Sequence, residues 1–95
     1  MIELTKVNKE NWSEQSPEIR WVERDDNGVV IDSNKKEPKI GYTLVLNPYD
    51  NQYQTKPITE IIDSTDKIIH FKTEDEEYKL YLAKHFKDIY EKLKD

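Results

Sequence analysis

The chain has no cysteine. Disulfides, thiolate nucleophiles, Fe–S clusters and zinc ribbons are therefore excluded. It has only two glycines, Gly28 and Gly41. Phosphate cradles and dinucleotide fingerprints need several closely spaced glycines, so neither can be built. No apolar run approaches the ~20 residues of a membrane span. Residues 1–8 lack a basic segment followed by an apolar one, so no signal peptide is expected. Bases are also scarce relative to acids: 15 Lys and Arg stand against 20 Asp and Glu, for a net charge of −5. That balance disfavours nucleic acid, whose binders usually carry a basic face. These absences lead to the expectation of a soluble, cytoplasmic protein with no membrane partner, no cofactor and no bound metal.

The 95 residues fit a single small domain, 1–95. A hydrophobic fraction of 35% beside 37% charge lies close to disordered compositions. Aromatics at 11% and apolar residues gathered in periodic runs argue instead for a folded chain with a thin core.

Residues 2–7 alternate and predict a strand. Residues 8–17 are polar and predict a loop around Trp12. Residues 19–31 predict a hairpin turning at Asp25-Asp26-Asn27-Gly28, where Asn-Gly suits a type I′ turn. A polar loop follows over 32–39. Residues 40–46 predict a strand with Ile40, Tyr42, Leu44 and Leu46 on one face, and 47–56 a turn-rich loop carrying Tyr49 and Tyr53. Residues 58–62 and 67–73 predict a second hairpin.

The segment from Glu74 has two readings. One places a strand over 78–82, with Tyr78, Leu80 and Leu82 inward, and a helix from about residue 83. The other caps a single helix, 74–94, at Thr73 and Glu76. The strand-plus-helix reading is preferred, because the long helix would turn Leu80 to water. Both make 84–94 helical. The fold class expected is α+β: a mainly antiparallel sheet of five to seven strands, or a small partly open barrel, with one C-terminal helix packed on it.

Little chemistry is encoded. Residues 23–30 resemble the front of an EF-hand loop, but position twelve is Asn34 where a bidentate Glu is needed. A hairpin turn is the better reading. His70 and His85 share no metal-ligand spacing. The serines lie in polar loops without a nucleophile-elbow context. A catalytic site is therefore not expected.

What remains is surface. Trp12, Tyr49 and Tyr53 lie in polar loops, where exposed aromatics would suit a protein interface. The run Glu74, Asp75, Glu76 and Glu77 offers a negative patch for a basic partner. Trp21 and Tyr42 are assigned to the core. The function expected is a non-enzymatic protein-binding module, an inhibitor or adaptor of the phage or mobile-element kind, acting through loop aromatics and an acidic surface. A second reading is a single-stranded nucleic-acid binder stacking bases on Trp12, Tyr49 or Tyr53 beside Lys35, Lys36, Lys39 and Lys56. The strand over 40–46, if it lay at a sheet edge, could pair with a second copy.

Overall fold

Period-two patterning marks several strands, most clearly Ile68–Thr73 and Glu77–Tyr81, of the computed structural model, which describes residues 1–50 and 52–83. β1 (Ile2–Lys6) pairs with β2 (Lys9–Ser16) on one side and β9 (Glu77–Tyr81) on the other. β9 continues to β8 (Ile68–Thr73), and β8 to β7 (Ile58–Ser64), completing a five-stranded sheet β2-β1-β9-β8-β7. β3 (Ile19–Arg24) lies between β4 (Val30–Asn34) and β5 (Thr43–Leu46), and β5 also pairs with the short β6 (Tyr53–Gln54). That second sheet has the order β4-β3-β5-β6.

The α+β expectation is therefore corrected. The described residues form an all-β structure of nine strands in two antiparallel sheets, with no helix among them. The helix expected over 84–94, with His85, lies outside the described residues. A single helix from Glu74 is overturned by β9, where Tyr78 and Leu80 are buried in the core.

Three local expectations also change. Residues 9–16 form β2 instead of a loop, because β1 supplies a hydrogen-bonding edge to a chain with little apolar signal. The strand expected over 40–46 begins only at Thr43. Gly41 takes φ 88 and Ile40 is exposed. This strand is also no sheet edge, since β5 sits between β3 and β6. At the β3–β4 turn, Gly28 has φ 82 while Asn27 stays on the negative side, so the pair of positive φ values of a type I′ turn is not met. Asp25 organises this turn: its carboxylate accepts the amides of Asn27 and Val29 at 2.9 Å, and its carbonyl accepts Gly28 N–H.

One face of each sheet closes the core. Leu4, Ile58, Ile69, Phe71, Tyr78 and Leu80 meet Ile19, Trp21, Tyr42, Leu44 and Leu46. Trp21 meets Phe71 edge-on at 5.7 Å between centroids, and Phe71 stacks on Tyr78 at 5.2 Å. Two backbone bonds join the sheets at one margin: Gly41 N–H to Ile58 C=O and Ile58 N–H to Tyr42 C=O, both 2.8 Å. The Tyr42 hydroxyl donates to the Asp32 carboxylate on β4. That bond, helped by burial, pushes the phenol up to about 12.

Phe71 touches rings from both sheets, so Phe71→Ala should lower the unfolding free energy by about 3–5 kcal/mol in urea denaturation. The exposed Ile62→Ala should cost less than about 0.5 kcal/mol. The raised Tyr42 value adds stability that is complete below its unfolded value of 10.0 and is lost as pH rises toward about 12. In Tyr42→Phe, melting temperature should fall less steeply across that window than in the wild type.

Candidate functional site

Trp12 owes its position to an irregular strand. Pairing between β1 and β2 slips after Thr5, whose partner is Ser13, to Lys6, whose partner is Lys9. Residues 10–12 are left without partners on β1, and such bulges re-aim a side chain. Trp12 packs half-buried against the core edge, 5.2 Å from Tyr53 and 6.4 Å from Tyr78 between ring centroids. The Tyr53 and Tyr78 hydroxyls are hydrogen-bonded at 3.0 Å. Burial first, and then that bond, raises the Tyr78 phenol above its ordinary range.

Two of the three loop aromatics singled out in the sequence thus come together, and their outer face is already engaged. Lys6 Nζ lies 4.4 Å from the Trp12 centroid and 6.0 Å from that of Tyr53, within cation–π range. Tyr49 stands apart, 82% exposed.

The acidic run is matched by cations. Glu74 and Asp75 both meet Lys56 Nζ, at 3.0 and 3.3 Å. Glu76 meets Lys9 at 3.4 Å and Lys6 at 3.8 Å. Glu77 meets His70 Nε2 at 2.6 Å and Lys72 Nζ at 3.8 Å. Surface pairs such as Lys56–Glu74 contribute little stability, but they cancel charge locally. The Thr73 hydroxyl, donating at 3.0 Å, and then Lys56 hold the Asp75 carboxyl below its usual value. His70 is thereby placed in hydrogen-bond contact with Glu77, and no group of three or more metal-ligating side chains exists among the described residues.

Sequence reasoning passed over a different surface. Arg20, Val22 and Arg24 alternate on β3 and point away from the core face that carries Ile19 and Trp21. With Val30 and Ser33 of β4, Val45 of β5, and Pro48 and Tyr49 beyond it, they line a groove of about 270 Å³. Arg20 donates a hydrogen bond to the Ser33 hydroxyl at 3.3 Å, and neither Arg20 nor Arg24 makes an ion pair with a described residue. These are the only two arginines of the chain. Their spacing of four on one strand was the available signal. Lys35, Lys36 and Lys39 lie beyond this groove, in the loop after β4, with Lys39 Nζ 5.7 Å from the Tyr42 ring.

Comparison with known proteins finds no matching family model, no matching curated protein and no matching solved structure. The depressed Asp75 value contributes stability that is present above its unfolded value of 3.8 and is lost as pH falls below that toward the lower folded value. Asp75→Asn should therefore lose less melting temperature than the wild type between about pH 5 and pH 3.

Proposed function

We propose that this chain is a non-enzymatic binding module that docks an extended, acidic segment of a partner protein against β4 and the groove beside it. The observation that carries this reading is the pair of arginines, free of carboxylate partners among the described residues, on an apolar floor of Val22, Val30 and Val45 beside the exposed Tyr49. Arg and Tyr, with Trp, are the side chains enriched where protein interfaces hold their binding energy.

The strand edges support it. The outer strands of the two sheets are β2, β7, β4 and β6. β2 is charged and irregular, β6 has two residues, and β7 is broken twice, at Thr59 and Ile62. Such devices discourage pairing with another chain. β4 is less guarded. Its pairing with β3 skips Ile31, yet Val29, Val30 and Ile31 are 57%, 51% and 58% exposed, and Asp32 to Asn34 then run in regular register. An added strand would bond the free edge of β4 while acidic side chains reached Arg20 and Arg24.

A basic partner at the acidic turn is disfavoured, because each acid of residues 74–77 already has a lysine beside it. Nucleic acid is disfavoured by charge: residues 19–39 hold five Lys or Arg and five Asp or Glu, so the groove has no net basic field around it.

Selection from a random peptide library should enrich extended, acidic sequences. Arg20→Glu combined with Arg24→Glu should weaken the selected peptides by more than roughly tenfold in fluorescence anisotropy. Peptide binding should also slow amide exchange along β4. Enrichment of basic peptides, or an oligothymidine that binds more tightly than any peptide and loses affinity in the same double variant, would overturn the assignment.

A further inference from the structure

A second cavity, independent of the docking groove, opens between the sheets. It measures about 400 Å³ and is lined by Ile19 and Trp21 of β3, Ile69 of β8 and Leu82 after β9, with Lys35, Lys36, Thr65 and Asp66 around it. That volume lies within the range of small-molecule sites, which pair an apolar lining with a few placed polar groups. We propose that it binds a small amphipathic carboxylate.

Three observations point to this ligand class. The floor is aliphatic and aromatic, and Ile69 and Trp21 are 2% and 0% exposed. The indole N–H of Trp21 is buried and has no hydrogen-bond acceptor among the described residues. Buried donors are nearly always satisfied, so this one calls for an oxygen. The two flanking lysines are exposed and form no ion pair with a described residue, which leaves them available to a carboxylate. Asp66 stands with Thr65 on the turn before β8, so it repels an acid from that wall and directs the charged end toward Lys35 and Lys36. The alkyl or aryl body of the ligand covers Ile69 and Leu82.

Octanoate, octylamine and octanol serve as probes, matched in chain length and differing in charge. Trp12→Phe leaves Trp21 as the only indole. In that variant octanoate should saturably shift Trp21 emission and raise the melting temperature. The Trp21 indole N–H proton should move downfield in NMR spectra as it gains an acceptor. Lys35→Ala with Lys36→Ala, both at exposed positions, should weaken octanoate about tenfold, the equivalent of one charge-assisted contact. Arg20→Glu with Arg24→Glu should leave octanoate binding unchanged, which separates this site from the docking groove. Equal binding of octylamine would overturn the carboxylate class. No saturable response to any of the three probes, or an unmoved indole proton on octanoate binding, would overturn the site.

Discussion

A chain of aromatic rings holds the two sheets together, and the rest of the molecule is arranged around it. Trp21 on β3 meets Phe71 on β8, Phe71 stacks on Tyr78 on β9, and Tyr78 bonds Tyr53 on β6, whose ring lies against Trp12 on β2. The chain leaves the second sheet, enters the first, returns to the second and ends on the outer strand of the first. Each ring buries a large area for few residues, and well-oriented pairs add about 0.5–1.5 kcal/mol beyond that area. With only 35% hydrophobic residues, few other side chains could span the gap. The two ends of the ring chain differ. Lys6 covers the Trp12 end, while the Trp21 end keeps a buried N–H without an acceptor among the described residues and borders a cavity.

Elements were legible in the sequence where one face is buried and the other wet. The period-two alternation read there survives best in the burial pattern of β8, where Ile69, Phe71 and Thr73 face in, and of β9, where Tyr78 and Leu80 do, while β4 is exposed along nearly its whole length and β7 buries only Ile58. β2 was not legible. Its residues Lys9-Glu10-Asn11-Trp12-Ser13-Glu14-Gln15-Ser16 carry one large apolar group, and what makes them a strand is the hydrogen-bonding edge of β1. That information belongs to the partner strand and to tertiary structure. The division into two sheets was hidden for the same reason, since nothing local separates β5, which joins the second sheet, from β7, which joins the first.

The candidate site was legible in part. The sequence has ten aromatic residues, more than a thin core needs, and the ring chain uses five of them. Trp21 and Tyr42 are core, as their alternation implied. Trp12 and Tyr53, in apparently polar loops, prove to be half-buried, because a bulge and a two-residue strand bring them to the core edge. Only Tyr49 stays fully outside. Charge was harder to read. A run of four acids looks like a patch in one dimension, yet its cations are Lys6, Lys9, Lys56 and Lys72, three of them distant in sequence. Conversely, Arg20 and Arg24 stand among acids in sequence, and strand alternation turns them away from Glu23 to the other face.

The freedom of those arginines bears on which partner an open β4 edge would accept. Pairing β4 with β4 of a second copy would extend the sheet across a two-fold axis and put both grooves on the same face. The two arginine pairs would then be about three strand spacings apart, roughly 14 Å. That exceeds the ~8 Å screening length at physiological salt, so repulsion between copies would be weak and would not forbid the pairing. What a second copy lacks is compensation. β4 itself carries one acid, Asp32, and it is engaged with Tyr42 on the inner side. Two half-buried arginines would stay unmatched in each subunit. An acidic strand supplies the missing carboxylates at the same backbone cost, and charge-assisted bonds are roughly twice as strong as neutral ones. The proposed preference for a foreign acidic strand over self-association therefore rests on what the groove would gain, with repulsion between copies a minor term.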